Sequence, residues 1–115
     1  KVNSDKFEFI TLAMQQVVEG AGGTASGARI EGIEICGKTG TVENSRGRDH
    51  SVFISFAPRV EPKIAIAVYI ENAGYGGTWA APVASLMTEK YLTDTIQNSW
   101  KEKRILDANL IPKSK

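Results

Sequence analysis

The residues best suited to chemistry stand together in the segment Lys38-Thr39-Gly40-Thr41. Two hydroxyls and an ammonium in one short segment could bind a carboxylate, because hydroxyls donate hydrogen bonds and the ammonium supplies positive charge. In an extended strand, Thr39 and Thr41 point to one side, and Lys38 points to the other side or to the edge. Gly40 leaves room for the backbone of a ligand to lie flat against the strand. The segment therefore predicts a carboxylate-binding strand that faces a cleft.

The same segment also completes a phosphate-loop pattern, in which Gly32 is followed by four residues and then by Gly37-Lys38-Thr39. A phosphate loop presents backbone N–H groups to phosphates, and a helix begins just after its lysine. Here residues 33–36 favour an extended chain, and residues 40–48 offer no helix. A nucleotide-binding module that uses Gly32–Thr39 as a phosphate loop is kept as an alternative function.

A thiol nucleophile is a further hypothesis, with Cys36 activated by His50. A hairpin centred near residues 45–46 would pair Thr41 with His50, which leaves Cys36 five residues further along the strand. At about 3.3 Å per residue, that separation exceeds hydrogen-bonding distance. Cys36 is therefore predicted to be a small core residue, and His50 to have a structural role in the turn after Asp49.

The pattern of apolar residues predicts the elements that must position these groups. Apolar spacings of three and four predict a helix, strict alternation predicts strands, and glycine clusters mark where a helix ends. The third strand alternates Ile and Val with alanine, so both of its faces are predicted to be buried. Short connections favour an antiparallel three-stranded sheet flanked by helices, which is an α+β fold. The predicted elements are a helix over residues 5–19, strands over 29–41, 51–57 and 63–71, and a helix over 78–96.

The composition is that of an ordinary globular chain and excludes several classes of function. Its 115 residues suit one domain, with 42% hydrophobic and 23% charged residues. The 14 basic and 13 acidic residues leave a net charge of +1, which does not favour nucleic acid as a partner. One cysteine excludes an internal disulfide and one histidine excludes a His-rich metal site, so no metal or other cofactor is predicted. No segment approaches the roughly 20 apolar residues of a membrane span.

Lys38-Thr39-Gly40-Thr41 on a strand resembles the third motif of the penicillin-recognising serine enzymes. The surrounding segments resemble the class B (monofunctional) penicillin-binding proteins, of the penicillin-binding protein 2 type. The similarity covers roughly residues 5–95, and it implies the C-terminal part of the penicillin-binding and serine β-lactamase-like transpeptidase fold over residues 1–97. Residues 98–115 are expected to be a polar C-terminal tail. The segments that carry the resemblance outside the motif are Gly23-Thr24-Ala25, Asp49–Pro58, Ile64–Val68, Glu71-Asn72, Gly76-Gly77 and Ala80-Ala81-Pro82.

Two motifs of that family are missing from this chain. No serine is followed three positions later by lysine, and no Ser-x-Asn occurs. In the family both motifs, including the nucleophile, lie upstream of the Lys-Thr-Gly strand. Because the nucleophile is missing, we expect the chain to be inactive by itself. It also opens on Lys1 rather than on methionine, and we expect it to be a piece of a longer protein.

The resemblance implies a role for each residue of the segment. In a peptidoglycan D,D-transpeptidase, a serine attacks the penultimate D-alanine carbonyl of a stem peptide, and an amine of a neighbouring strand resolves the acyl-enzyme. Lys38 would supply positive charge and assist proton transfer, and the Thr41 N–H would complete the oxyanion hole. Among the implied substrate-binding residues, Thr39 and Thr41 would hold the carboxylate of the substrate or of a β-lactam, and Gly40 would permit its approach. A non-catalytic β-lactam sensor domain of the same fold is a further alternative.

The resemblance also implies partners and a location. Stem peptides and β-lactams would bind the longer protein, which would be anchored in the inner membrane and face the bacterial periplasm within a cell-wall elongation complex. In the family fold, the strand over residues 63–71 pairs with strands that this chain lacks. An unpaired apolar edge favours self-association, so we expect the isolated chain to form dimers or larger species.

Overall fold

Within residues 1–111, three strands form one antiparallel sheet in the order β1-β2-β3. The computed structural model describes residues 1–111, and the predicted sheet with flanking helices is confirmed. In chain order the elements are α1 (Ser4–Glu19), a short 3-10 helix (Ser26–Ala28), β1 (Cys36–Val42), β2 (His50–Ala57), β3 (Ile64–Ile70), α2 (Ala80–Thr93) and α3 (Ser99–Leu106). None of the helices within residues 1–111 has the length and apolarity needed to cross a membrane.

The core lies between one face of the sheet and the helices. Phe53 of β2 is the largest fully buried side chain, and its neighbours on that face of β2 are small. Helix α2 approaches closely because its first turns present alanines, and α1 contributes Val18 from its C-terminal end. The buried apolar residues of this core are Val18, Ala25, Ala28, Ile30, Ile35, Phe53, Ala57, Ala80, Ala81 and Ala84. The centre of β2 is therefore the best-packed part of the sheet, and it lies directly beside β1.

The prediction that both faces of β3 are buried is wrong for this chain. Ile64, Ile66, Val68 and Ile70 are half-buried against the core, whereas Ala65, Ala67 and Tyr69 on the other face are exposed. Alternation correctly separates the two faces, but it cannot tell what covers them. Among the described residues, β3 is an edge strand that pairs with β2 alone, so one face and one edge of it lie open there.

The first strand is shorter than its sequence pattern predicts, and the hairpin register differs by one residue. β1 begins at Cys36 because Gly32, at a φ of +79°, turns the chain and lets Ile30 bridge to Ile33. Positive φ is accessible to glycine at little cost, which breaks the extended run. Val42 pairs with His50, whereas the sequence predicts Thr41 as the partner of His50.

The C-terminal segment contains a helix that the sequence did not predict. The second helix, expected to reach residue 96, ends at Thr93, where Asp94 adopts a left-handed φ of 61°. Residues expected to begin a polar tail then form α3, whose first turn is capped because Asn98 Oδ1 accepts from the Lys101 N–H at 2.9 Å. Lys101 is only 8% exposed, so α3 packs through polar groups rather than an apolar stripe. Residues 112–115 of the expected tail lie outside the described residues, and its boundary at residue 97 stays a prediction.

The buried Lys101 predicts how stability depends on pH. Burial lowers the pKa of its ammonium below the ordinary value, and the Glu89 carboxylate partly opposes this shift. The unfolded chain therefore holds the proton more tightly, and Lys101 should add stability as pH rises from its lowered pKa towards about 10.4. We expect the free energy of unfolding in urea, taken relative to that of Lys101→Met, to increase over this range. A difference that shrinks as pH rises would contradict the prediction.

Candidate active site

The segment Lys38-Thr39-Gly40-Thr41 lies on β1, which in the part of the chain that the structure describes is an edge strand paired with β2 alone. Lys38 lies opposite Ile54, on the open face of the sheet. Thr39 and Thr41 share the other face. Lys38 and Thr41 are exposed, whereas Thr39 and Gly40 are half-buried. The structure thus brings all four predicted site residues to one edge.

The Lys38 ammonium lies along this edge. Its Nζ donates a hydrogen bond to the Thr39 carbonyl at 2.9 Å, and the side chain is exposed. Within residues 1–111 no acidic side chain forms an ion pair with it. The positive charge is therefore available to an anionic ligand placed against β1.

The Thr39 hydroxyl has a partner to which the sequence assigned no role. Thr39 Oγ1 and Thr24 Oγ1 lie 3.0 Å apart, and Thr24 belongs to the loop that follows α1. This loop is tied to the helix, because the Ala25 N–H donates to the Val17 carbonyl at 3.0 Å. Thr24 was noted only as part of the Gly23-Thr24-Ala25 resemblance, and only the fold shows that it reaches the site.

Two glycines bring the loop between β3 and α2 onto the strand. A Cβ on Gly76 would lie 2.6 Å from the Gly40 carbonyl oxygen, and a Cβ on Gly77 would collide with the Thr24 carbonyl. Such approaches leave no room for any side chain. The Gly76-Gly77 pair, noted in the sequence without a role, is therefore a wall that backs Thr39 and Gly40.

Ser51 anchors this loop beneath Thr41. Its fully buried hydroxyl donates to the Tyr75 carbonyl at 2.9 Å and accepts from the Ala80 N–H at 3.1 Å. Because Ser51 lies opposite Thr41 in the sheet, it links the strand, the loop and the first residue of α2. A satisfied buried hydroxyl of this kind fixes geometry and is not placed to attack a substrate.

The other two candidate residues have structural surroundings. His50 Nδ1 accepts from the Asn72 N–H at 3.0 Å, and its ring lies 5.4 Å from that of Tyr69. Cys36 is fully buried, and burial raises the pKa of its thiol above the ordinary value. A nearby Arg59 guanidinium opposes that shift, whereas the Glu34 carboxylate adds to it. A buried, protonated thiol is a poor nucleophile, so the structure agrees with the core role predicted for Cys36.

The phosphate-loop alternative requires a helix immediately after Thr39. The chain instead continues as β1 to Val42 and turns into β2, so no helix begins directly after Thr39. A strand edge with one ammonium and two hydroxyls suits a carboxylate better than a nucleotide phosphate chain.

Comparison with known protein families gives one match that covers most of the chain. Residues 1–89 match the family model described as the penicillin binding protein transpeptidase domain. This range contains the candidate site and the sheet, together with most of α2, and ends before α3.

Two curated relatives are named as peptidoglycan D,D-transpeptidases. The chain is 32% identical over 106 residues to peptidoglycan D,D-transpeptidase MrdA of Haemophilus influenzae, a match that covers 78% of this chain. It is 36% identical over 85 residues to peptidoglycan D,D-transpeptidase PbpA of Mycolicibacterium smegmatis, covering 64% of this chain. In each case the match spans 16% of the relative, so the chain corresponds to a small part of those proteins.

Solved structures agree with the sequence matches. Penicillin-binding protein 2 of Pseudomonas aeruginosa, crystallised with WCK 5153, matches 80% of this chain with a TM-score of 0.72 and 39% identity, and the match covers 20% of that protein. Penicillin-binding protein A of Mycobacterium tuberculosis, as an imipenem acyl-enzyme, matches 80% of this chain with a TM-score of 0.68 and 32% identity, over 20% of its length. By its fold, its motif and these matches, the chain belongs to the penicillin-binding protein transpeptidase domain family.

Proposed function

We propose that this chain is the C-terminal part of a peptidoglycan D,D-transpeptidase domain and supplies one wall of its active site. The observation that carries the proposal is the edge of β1, where an exposed ammonium and two threonine hydroxyls are backed by the Gly76-Gly77 wall. That edge is built to hold a carboxylate in a fixed position. The serine nucleophile would come from a part of the longer protein outside this chain.

The reaction assigns a role to each residue of the edge. The serine oxygen attacks the penultimate D-alanine carbonyl, the C–N bond breaks, and the terminal D-alanine leaves after its nitrogen gains a proton. An amine of a second stem peptide then attacks the ester and releases the serine. Lys38 would lower the energy of the developing negative charge and assist proton transfer. Thr39 and Thr41 would hold the terminal carboxylate, and Gly40 would let the stem peptide lie against the strand.

The direction of the β1 backbone supports a place for Thr41 in the oxyanion hole. The Thr39 carbonyl accepts from the Lys38 side chain, which lies at the open edge. The N–H and C=O groups of one strand residue point to the same side, and residues two apart repeat that direction. The Thr41 N–H would then face the cleft, where it can donate to an oxyanion on the acylated carbonyl.

Exposed apolar surface supports the idea that a longer protein completes the domain. Phe7, Phe9 and Ile10 of α1 are each more than half exposed, as is Tyr69 on the uncovered face of β3. Patches of this kind usually mark contacts with another part of a protein or with a partner. In the proposed transpeptidase, the segment that carries the serine would cover them. We place that protein in the bacterial periplasm, anchored in the inner membrane and engaged in cell-wall elongation.

The proposed activity is tested with a stem pentapeptide that ends in D-alanyl-D-alanine. The longer protein that contains this chain should release the terminal D-alanine and, with an acceptor amine, join two stem peptides. A β-lactam should block both steps. A folded protein that binds β-lactam covalently but releases no D-alanine would favour the sensor alternative.

The free edge of β3 predicts self-association of the isolated chain. An unpaired edge offers N–H and C=O groups to a second copy of the chain. The exposed residues Ala65 and Ala67 carry no charge that would repel that copy. We expect light scattering at high concentration to show dimers or larger species. Ala67→Lys, which adds a charge on the exposed face, should shift the chain towards monomer, whereas Ala108→Lys, beyond α3, should not. A monomeric wild-type chain at high concentration would contradict the prediction.

A further inference from the structure

Helix α3 holds the loop between β3 and α2 through Arg104. The Arg104 guanidinium donates to the Thr78 carbonyl at 3.0 Å and lies 4.5 Å from the centre of the Trp79 ring. These are a charge-assisted hydrogen bond and a cation–π contact from one side chain. The residue just before Thr78 is Gly77, which lies against the Thr24 carbonyl and where an added Cβ would lie 3.8 Å from the Thr39 side chain. Arg104 therefore fixes this loop one residue away from its contact with the candidate site.

The same helix holds the segment after α1 through Lys101. The buried ammonium donates to the Arg29 carbonyl and to Ser85 Oγ, each at 2.8 Å. The Arg29 guanidinium in turn donates to carbonyls at the end of α1, those of Val18, Glu19 and Gly20. From that helix end the chain leads directly to Thr24, whose hydroxyl lies 3.0 Å from that of Thr39.

The Lys101 ammonium is buried, so its hydrogen bond to the Arg29 carbonyl tolerates little displacement. Withdrawing a charge from water is tolerated only when its donors have partners, so a shift of Arg29 away from Lys101 would leave a buried charge underbonded. The Glu89 carboxylate, also buried, supplies a nearby negative charge and accepts from the Gln97 N–H at 3.0 Å. The hydrogen bond from Gln97 to Glu89 therefore fixes the connection between α2 and α3 close to the buried Lys101 side chain.

We propose that α3 is a positioning element of the active site, in which Lys101 and Arg104 hold Thr24 and Gly77 against Thr39. Neither residue reaches the cleft, and both act by fixing where the Thr39 hydroxyl lies. The inference rests on the proposed function, in which Thr39 binds the substrate carboxylate. It extends beyond the family match, which ends at residue 89 and assigns nothing to α3.

The test compares Arg104→Gln and Lys101→Met with Lys103→Met in the longer protein. Lys103 is a matched control, because it lies on the same helix, is exposed, and pairs with Asp107 of the same segment. Acylation by benzylpenicillin is followed over a range of concentrations, which separates the half-saturating concentration from the maximum rate. We expect Arg104→Gln to raise the half-saturating concentration by about 3- to 10-fold, the effect of one lost hydrogen bond, with little change in the maximum rate. Arg104→Lys should restore most of the loss, and Lys103→Met should match wild type.

Two features keep this test decisive. Partial unfolding would lower the amplitude of acylation and leave the half-saturating concentration unchanged, so it is distinguishable from loss of positioning. If Lys101→Met fails to fold, Arg104→Gln carries the test. An unchanged half-saturating concentration in Arg104→Gln would overturn the positioning role.

Hydrogen exchange separates this inference from the proposed function. Backbone amides of residues 24–29, 36–42 and 74–79 should exchange faster in Arg104→Gln than in wild type, and Lys103→Met should leave them unchanged. If wild type forms no acyl-enzyme, the proposed function fails, and exchange alone then decides whether α3 holds this strand. Unchanged exchange in that protein would overturn the inference.

Discussion

Replacing Lys38 by alanine in the longer protein is expected to slow acylation by benzylpenicillin by roughly 10²- to 10⁴-fold, the usual range for a group that moves a proton in the transition state. The Lys38 ammonium is exposed at the open edge of β1, and its hydrogen bond to the Thr39 carbonyl holds it along that edge. Loss of the charge also removes electrostatic stabilisation of the carboxylate and of the oxyanion. Because the side chain lies at the surface, the substitution should barely change the free energy of unfolding.

Lys63→Ala is the matched control for Lys38→Ala. Lys63 is also an exposed lysine, but it lies just before β3, at the far edge of the sheet from β1. The second-order rate constant for acylation, measured with both variants, should fall only in Lys38→Ala. Equal rates for Lys38→Ala and wild type would remove Lys38 from the proposed site.

The largest loss of stability is expected for Phe53→Ala, about 3–5 kcal/mol in the free energy of unfolding. Phe53 is fully buried, lies opposite Thr39 in the sheet, and places its ring against Gly37. A Cβ on Gly37 would collide with that ring, so the two residues fit together across β1 and β2. Removing the ring would leave a cavity directly beneath the strand that carries the site.

Ile54→Ala provides the control for Phe53→Ala. Ile54 is the next residue of β2, but it lies on the opposite face and is 49% exposed. Denaturant unfolding of this chain should show a small loss for Ile54→Ala and a large one for Phe53→Ala. Similar losses in the two variants would show that the core does not lie on the face assigned here.

Sequence patterns predicted the sheet and the placement of the motif because both depend on local rules. Alternation in β2 and β3 and the turn residues between them determine which side chains share a face. Lys38 and Thr39 were predicted on opposite sides of one strand, and that is where they lie. The prediction that the first strand begins at residue 29 was wrong, because Gly32 turns the chain. The alternating isoleucines around Gly32 give no sign of this turn.

The supports of the site could not be predicted in the same way. Thr24 and Thr39 are fifteen positions apart, and only the packing of α1 against the sheet brings their hydroxyls together. Helix α3 lacks an apolar stripe, and the side chains of Lys101 and Arg104 hold it against the rest of the fold instead. A hydropathy pattern treats lysine and arginine as solvated. It therefore predicts a polar tail where a helix in fact packs through charged side chains.

The most direct test of the central claim is the intact mass of the longer protein after incubation with benzylpenicillin. If this chain supplies the Lys-Thr-Gly wall of a serine transpeptidase, one penicillin equivalent should add to the protein, and the adduct should form far more slowly in Lys38→Ala. The adduct should map by peptide mass to a serine outside this chain. A folded protein that gains no mass, or an adduct that forms equally fast in Lys38→Ala, would contradict the account.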